Sequence, residues 1–418
     1  MKKKLLAALL ASALAAGLLP ASACAASDYT IANATLVTLT DSSATAKGKY
    51  TGYEIDGTDV SITAAGTYVF SGDCDNGSIT VKKGVTGVTI VLNGLTLTND
   101  DSAAITLNKT AEASLIAAAG TTNTVADTEG SNDENAAVKV KSGAALAIGG
   151  TGTLTVDGNA KNGIKGAADA VISVDEVALT IEAENDGLSC DDELNITGGT
   201  LSITAGGDAV KASPDTGDTG NPDTTSLGNV TISGGTLTLA TGDDGVHADN
   251  DLVIGAKGAS STSTPRINIT ASYEGLEGTT VTVYSGDIDV VASDDGVNAA
   301  NSTLGERSDK YAISIAGGDL YIDAGSDGLD SNNDINITGG KVEVYGADAM
   351  MDAAIDYDGT FTLSGGTLFG AGMEPSAGTQ ALRSRAATMN IRSRCWPSTK
   401  PSRATTRQAG RSARMRRL

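Results

Sequence analysis

A three-residue motif recurs along the second half of this chain: an acidic residue, then Gly or Ala, then an apolar residue. Its successive acids are 22, 36, 30, 21, 32 and 21 residues apart. Each of the three long intervals contains an insertion: two are rich in Pro, Ser or Thr, and the third lies near 300–310. Without the insertions the period is about 21–24 residues. A fixed period of this length is typical of a solenoid. The acids of the motif are Asp186, Asp208, Asp244, Glu274, Asp295, Asp327 and Asp348.

A second motif, an alternating strand followed by Gly-Gly and another strand, recurs in the same units. Apolar and polar residues alternate around it with a period of two, which excludes helical repeats, and the Leu/Asn signature of leucine-rich repeats is absent. The low aromatic content of 3% suits thin coils with small interior side chains. We therefore predict an all-β fold, a right-handed single-stranded parallel β-helix of about 21–24 residues per coil. The motif occurs at Ile196–Leu201, Ile232–Leu237, Ile315–Leu320, Ile337–Val342 and Leu363–Leu368.

The chain divides into three parts. Residues 1–26 contain three lysines, an apolar stretch and small residues, which predicts a signal peptide and a secreted or cell-surface protein. Cys24 offers a less favoured alternative, attachment of a lipid anchor. The predicted β-helix covers 27–372, and no later segment is apolar enough to cross a membrane. With two cysteines in the body, Cys74 and Cys190, we expect no disulfide framework.

The last part, 373–418, differs abruptly from the rest. It contains 10 of the 12 arginines, no acidic residue after Glu374, and neither the alternation nor the Gly pairs. We interpret it as a basic, disordered tail without a function of its own, and we favour translation out of frame as its origin. A tail that binds an anionic wall or nucleic acid is the alternative, and we expect no nucleic-acid partner.

The acids of the first motif predict a metal site. Stacked coils lie about 4.8 Å apart, so a residue that recurs once per coil forms a column. Close carboxylates repel one another, and an all-oxygen environment suits Ca²⁺. His247 is the only histidine, so zinc is disfavoured. Solvated acidic turns are the alternative. The candidate ligands are Asp186, Asp191, Asp208, Asp243, Asp244, Asp249, Glu274, Asp294, Asp295, Asp327, Asp330 and Asp348.

The repeated motifs, together with Ile62–Gly72 and Ile90–Leu95, resemble a family of secreted bacterial carbohydrate-binding proteins with a pectate-lyase-like β-helix. The resemblance covers about 50–372. It implies a right-handed parallel β-helix, calcium between the coils, and affinity for plant cell-wall polysaccharides, including acidic pectic ones. The basic tail departs from the family, and the resemblance does not identify individual metal ligands.

We therefore expect a secreted, calcium-dependent, non-catalytic polysaccharide-binding protein. Tyrosines that could stack on sugar rings are Tyr273, Tyr284, Tyr311, Tyr321 and Tyr345. The first alternative is a pectate-type lyase, which needs calcium and a basic side chain that removes a proton; the candidates are Lys211, Arg266 and Arg307, with Lys161 and Lys165 less favoured. The second alternative is a surface structural or adhesion protein. The sequence does not indicate an oligomeric state.

Overall fold

The computed structural model describes residues 29–130, 134–214, 227–258, 264–301, 304–305, 308–347 and 352–372, and the backbone of 388–392. The predicted signal peptide, Cys24, and most of the predicted tail lie outside these residues, as do Arg307 and Asp348. Every regular element in the described part is a strand, and no helix there is long and apolar enough to cross a membrane.

The strands are short and follow one another with few intervening residues. In chain order they are β1 (Thr35–Thr40), β2 (Ser43–Gly48), β3 (Tyr53–Asp56), β4 (Asp59–Ile62), β5 (Gly66–Cys74), β6 (Ile79–Val81), β7 (Val88–Asn99), β8 (Ile105–Leu107), β9 (Glu112–Ala117), β10 (Thr122–Asp127), β11 (Ala136–Val140), β12 (Ala145–Gly149), β13 (Thr153–Gly158), β14 (Asn162–Gly166), β15 (Val171–Val174), β16 (Ala178–Ala183), β17 (Leu188–Cys190), β18 (Glu193–Ile196), β19 (Thr200–Ala205), β20 (Val210–Ala212), β21 (Asn229–Ile232), β22 (Thr236–Thr241), β23 (Val246–Ile254), β24 (Arg266–Ala271), β25 (Leu276–Val283), β26 (Asp287–Val291), β27 (Val297–Ala299), β28 (Ala312–Ile315), β29 (Asp319–Asp323), β30 (Leu329–Ser331), β31 (Asp334–Ile337), β32 (Lys341–Tyr345), β33 (Ile355–Tyr357), β34 (Phe361–Leu363), β35 (Thr367–Ala371) and β36 (Thr388–Arg392).

Each coil contributes one strand to each of three parallel faces, which we call A, B and C. Strand β14 of face A pairs with β17, β15 of face B with β18, and β16 of face C with β19. The same step of one coil continues through β20, β21 and β22 and onwards to β33, β34 and β35. Long strands β23 and β25 cover faces A and B together. This arrangement confirms the predicted parallel β-helix.

The core is a continuous apolar interior enclosed by the three faces. Alternate residues of each strand point inward, so that Leu179, Leu201 and Leu237 stack in register on face C with almost no exposure. Burial of such a side chain contributes about 1.5–3 kcal/mol. Cys74 and Cys190 are buried free thiols, so no disulfide links them. Stacking of apolar side chains therefore stabilises the coils.

The glycine of the first motif is explained by its distance from face C. A Cβ atom on Gly296 would lie 2.1 Å from Cγ2 of Ile322 in the same coil. Where the motif has alanine instead of glycine, the facing residue on face C is not branched at Cβ or has no side chain. Ala209 is matched by Leu239, which stands in register with Ile203, and Ala354 by Gly370. The Gly or Ala choice thus depends on the side chain that it faces.

The Gly-Gly motif serves the turn between faces B and C. A Cβ atom on Gly234 would lie 2.0 Å from the carbonyl oxygen of Thr197 in the preceding coil. Gly235 has a φ of +86°, a backbone conformation that other residues rarely adopt. The first glycine therefore permits close stacking of coils, and the second forms the turn.

The two ends of the β-helix differ from its middle. At the N-terminal end, β1 is antiparallel to β2 and β3 is antiparallel to β4. At the other end, β36 pairs in parallel with β35. These 5 residues belong to the segment that we expected to be disordered. The unpaired backbone groups of the last face C strand provide a template for this pairing.

Candidate functional site

The acids of the first motif form one column at the corner before face A. The Asp186 carboxylate accepts a hydrogen bond from the backbone N–H of Asp208 at 3.2 Å, and Asp208 accepts one from Asp244 at 2.9 Å. The same contact links Asp244 to Glu274 and Asp295 to Asp327. The predicted alignment is therefore confirmed, and we call these six residues, Asp186, Asp208, Asp244, Glu274, Asp295 and Asp327, the acidic column.

At its first end the acidic column continues into a residue that was not predicted, and at its last end the residue differs from the prediction. Asn162 precedes it, and its side-chain oxygen accepts the N–H of Asp186 at 3.1 Å. Ala353 follows it, because its N–H donates to the Asp327 carboxylate and its carbonyl oxygen accepts from Gly328. We expected Asp348 at this position. The step from Asp327 is 26 residues rather than the expected 21, since extra residues lie between face C and the next corner.

Backbone amides neutralise part of the charge in the acidic column. Our sequence analysis expected a cation to do this and did not consider the backbone amides. One oxygen of most column acids is bound to the N–H of the next coil, and hydrogen bonds of this type favour the ionised carboxylate. The second oxygens of Asp208 and Asp244 contact Lys211 and His247 instead.

A second column, of outward side chains on face A, lies three residues after the acidic column. Along the axis of the β-helix, its charged side chains change from basic to acidic. It contains Thr80, Thr106, Lys139, Lys165, Ser189, Lys211, His247, Glu277, Asn298, Asp330 and Asp356. The sequence concealed this gradient because insertions make the spacing of its members irregular.

Two of the three lysines of this column pair with nearby acids. Lys211 bonds to Asp208, and Lys165 lies 2.8 Å from Asp191. Burial lowers the pKa of Lys211, but Asp208 outweighs this and raises it above the ordinary value. Burial in turn raises the pKa of Asp208. Asp208 in the acidic column thus has both an amide and a lysine partner, and Asp191 beside the column has a lysine partner.

His247 lies where the outward column of face A changes sign. Its Nδ1 atom is 2.9 Å from Asp244 and 2.5 Å from Glu277, and its Nε2 atom is 2.9 Å from Asp249. Burial disfavours the imidazolium, but hydrogen bonds to the three carboxylates raise the His247 pKa well above its ordinary value. We therefore assign a charged, structural role to His247, which our sequence analysis did not foresee.

Beyond His247, no Lys, Arg or His of the described residues forms an ion pair with Glu274, Asp295, Asp327 or Asp330. Burial and neighbouring carboxylates raise the pKa of Glu274 to about 9, with Glu277 the largest neighbouring contributor. The pKa values of Asp295, Asp327 and Asp330 are raised to about 6, about 7 and about 8, in each case mainly by burial. We call Glu274, Asp295, Asp327 and Asp330 the distal acidic cluster.

The distal acidic cluster has the donor set that a hard divalent cation prefers. Its donors are carboxylate oxygens, and the Asn298 side chain hydrogen-bonds Glu274 at 3.0 Å. The groups Asp208, Asp244, His247 and Asp244, Glu274, Glu277 also bring ligand atoms close together. In both of these, however, His247 already compensates the charge through Asp244 or Glu277. The four carboxylates of the distal acidic cluster do not form such a close group among the described residues, and what favours a cation there is their uncompensated charge.

The other predicted metal ligands lie beside the acidic column rather than in it. Asp191 and Asp249 follow face A and are engaged by Lys165 and His247. Asp243 is exposed, and Asp294 is half-buried and hydrogen-bonded to Tyr273. The structure thus separates the twelve predicted ligands into compensated, flanking and distal groups, with Asp348 outside the described residues.

The predicted lyase bases differ in position. Lys211 lies on face A, but its raised pKa keeps it protonated and makes it a poor proton acceptor. Arg266 belongs to β24 on face C and pairs with Asp287 at 3.1 Å, so it lies on a different face from the acidic column. Arg307 is outside the described residues.

Three predicted sugar-binding tyrosines have different environments. Tyr273 is 49% exposed, beside Asp294, whose hydrogen bond raises the Tyr273 pKa to about 12. Tyr284 is half-buried in a turn. Tyr311 is completely buried, and its hydroxyl donates to the carbonyl oxygens of Asn301 and Gly305. The prediction for Tyr311 was therefore wrong, because its ring belongs to the core and cannot reach a sugar.

Tyr321 and Tyr345 lie together on the outside of face C. Their ring centroids are 5.5 Å apart, and that of Phe369 in the next coil is 5.8 Å from Tyr345. The Tyr345 hydroxyl donates to Glu343 at 2.7 Å. Tyr321 is nearly buried by its neighbours, whereas Tyr345 and Phe369 are half-buried. The sequence analysis missed Phe369, whose outward position follows from its alternation with buried Leu368.

Comparisons with known proteins identify a family and a solved structure of partial similarity. The profile of a family described as "carbohydrate-binding domain-containing protein" matches residues 56–328 and 260–368. A solved structure of the polysaccharide lyase-like protein from C. thermocellum, a gadolinium derivative, aligns with a TM-score of 0.49 and 24% identity, over 68% of this chain and 97% of that chain. No curated protein matches. Because the family profile spans most of the β-helix, the chain belongs to the carbohydrate-binding domain family.

Proposed function

We propose that this protein is exported and binds acidic polysaccharide without cleaving it, using calcium held by the distal acidic cluster. The crowding of the four carboxyl groups in this cluster supports the proposal most directly. Their raised pKa values mean that, without a cation, they cannot all be ionised together at neutral pH. A calcium ion would supply the missing positive charge through the oxygen ligands it prefers.

The charge of the protein favours calcium as the link to an acidic glycan. The segment from Asp28 to Glu374 contains all 51 acidic residues and only 15 Lys and Arg. Such a surface repels pectic polysaccharides, whose uronate groups are also negative. A divalent cation can bind carboxylates of both partners at once. Pectic glycans of plant cell walls are therefore the proposed ligands.

Binding without cleavage is supported by the environment of the candidate bases. Elimination needs a neutral basic side chain next to the bound uronate. The pKa of Lys211 is raised, and Arg266 pairs with Asp287 on another face. Neither arrangement favours proton removal at a site on face A. Two points support the proposed secretion or cell-surface location: the signal peptide predicted from the sequence, and the proposed ligand, a cell-wall glycan.

The test combines calcium binding with glycan binding. Calorimetry should detect calcium binding to the wild type, and Asp330→Asn should weaken it by about tenfold or more by removing one charged oxygen ligand. Asp319→Asn on face C removes the same charge away from the cluster and is the matched control. Insoluble polygalacturonate should retain the wild type in calcium and release most of it in a chelator.

Three results would oppose the proposal. If calcium binds neither the wild type nor Asp319→Asn, the distal acidic cluster is not a calcium site. If polygalacturonate acquires the ultraviolet absorbance of unsaturated uronate, the protein is a lyase. Failure to retain any glycan, accompanied by self-association or adherence to cells, would instead favour a structural or adhesive role.

A further inference from the structure

Face A has a basic first half in an otherwise acidic molecule. Lys139 and Lys165 are directly in register in adjacent coils, and Lys211 follows two coils later, after Ser189. The flanking interior residues are buried, so the three lysines point outward by alternation. Alignment of three lysines on one face places positive charge where the rest of the surface would repel an anion.

Lys139 differs from the other lysines of this column in its partners. Lys165 pairs with Asp191 and donates to Ser189 at 3.2 Å, and Lys211 pairs with Asp208. Among the described residues no acid forms an ion pair with Lys139, and Glu134 nearby bonds to Lys141. Burial and the neighbouring Lys165 lower the Lys139 pKa, and the nearby carboxylates of Glu134 and Asp191 do not outweigh them. An anion at Lys139 would relieve both effects.

A polar cavity lies one coil from Lys139, toward the N-terminal end of the β-helix. Its volume is about 290 Å³, at the small end of ligand-sized pockets. Thr106 lines it and stands in register with Lys139, one coil away. Hydroxyl, amide and carboxylate groups form most of the remaining wall, including Asn76, Asp59 and Asp101. Side chains of this kind match the hydroxyl groups of a sugar.

We propose that the first half of face A is a second glycan subsite, where Lys139 receives the carboxylate of a uronate and the cavity one coil away receives the hydroxyl groups of a linked sugar. This inference rests on the proposed function, because it assumes an acidic glycan. It adds a contact that needs no calcium. The glycan would lie along the axis of the β-helix, with a lysine contact at one end and a calcium contact at the other.

The carboxylate rather than the sugar ring determines the role of Lys139. An ammonium group donates charge-assisted hydrogen bonds to a carboxylate, and these weaken when the carboxylate is esterified. Half-burial of Lys139 reduces screening by salt, so the contact persists at moderate ionic strength. A neutral glycan gains nothing from Lys139, and the surrounding acids do not repel it.

The experiment measures binding of a galacturonate oligosaccharide by calorimetry, in a chelator and again in calcium. In the chelator, Lys139→Gln should weaken the affinity by about tenfold, whereas Lys139→Arg should retain most of it. Lys341→Gln on face C is the matched control and should bind like the wild type. The methyl-esterified oligosaccharide should bind the wild type and Lys139→Gln equally.

The outcomes separate this subsite from the proposed function. If the wild type binds the oligosaccharide in calcium, but Lys139→Gln matches it in both conditions, the second subsite is absent and the calcium proposal stands. If the wild type binds only in calcium, the calcium-independent contact is likewise excluded. If the wild type binds in neither condition, the proposed function itself fails. An unchanged melting temperature of Lys139→Gln would show that a loss of affinity does not come from unfolding.

Discussion

At the scale of single residues, the first motif has a separate physical role for each of its three positions. The acid accepts the N–H of the next coil, as Asp208 does from Asp244. The apolar residue enters the core. The middle residue is limited by the β-branched side chain that faces it, as Gly296 is by Ile322. One short motif therefore fixes the coil-to-coil hydrogen bond, the corner and the start of face A.

Replacement of Gly296 by alanine tests the limit on the middle position. The added Cβ atom would overlap Ile322 and the carbonyl oxygen of Gly328, so Gly296→Ala should destabilise the protein by about 1–3 kcal/mol in urea denaturation. Adding Ile322→Leu should recover part of this loss, since Leu239 faces Ala209 in a natural coil. A double variant that is no more stable than Gly296→Ala would contradict the explanation.

The raised pKa values of the distal acidic cluster predict an unusual pH dependence. In the folded protein Glu274 and Asp330 have pKa values of about 9 and about 8, above their ordinary values of 4.5 and 3.8. The folded state therefore binds more protons than the unfolded state between these limits, and its stability falls as pH rises. In a chelator, the melting temperature should decrease from about pH 4 to about pH 9.

Calcium and Asp330→Asn are the controls for this pH dependence. Calcium should remove most of the decrease, because it stabilises the ionised carboxylates. Asp330→Asn should flatten the profile in the chelator, because the amide does not ionise. A melting temperature that rises between pH 5 and pH 8 in the chelator would mean that the carboxyl groups are not crowded.

At the scale of strands, the sequence predicted side-chain direction well and side-chain partners poorly. Alternation with a period of two predicted the inward and outward positions of regular strands such as β19 and β22. It failed for Tyr311, which precedes β28 and turns into the core. It also could not show that His247 contacts Asp244, Asp249 and Glu277, because Glu277 lies in the next coil and an insertion separates the two. Partners across coils depend on loop lengths, which the period alone does not determine.

Variants of one tyrosine on face C and one in the core should affect glycan affinity and stability differently. Tyr345→Ala removes a half-buried outward ring between Tyr321 and Phe369, and we expect weaker glycan binding with a small loss of stability. Tyr311→Phe removes two hydrogen bonds inside the core and should cost about 1–3 kcal/mol with unchanged glycan affinity. Calorimetry and urea denaturation of both variants provide the comparison, and reversed effects would exclude this assignment.

At the scale of the whole molecule, the β-helix distributes its functions along one axis. Each coil contacts only its neighbours, so stability is approximately a sum of coil and interface contributions. Lysines compensate acids in the first half of face A, and the distal acidic cluster lacks such compensation among the described residues. The two halves therefore depend differently on cations, although the same three faces run through both.

Hydrogen exchange should reveal this difference between the two halves. Removing calcium leaves the crowded carboxyl groups of the distal acidic cluster uncompensated, and neighbouring coils should then open locally at a lower free energy. We expect faster exchange in the chelator for the backbone of β25, β27 and β30, which carry or adjoin the cluster. Strands β14 and β17 should exchange at the same rate with and without calcium, because Lys165 spans their interface and pairs with Asp191. For Asp330→Asn, chelation should change the exchange rates less than for the wild type, because one crowded charge is absent, whereas Asp319→Asn should behave like the wild type. Uniform acceleration along all coils would mean that the β-helix opens as one cooperative unit and that calcium acts on its global stability.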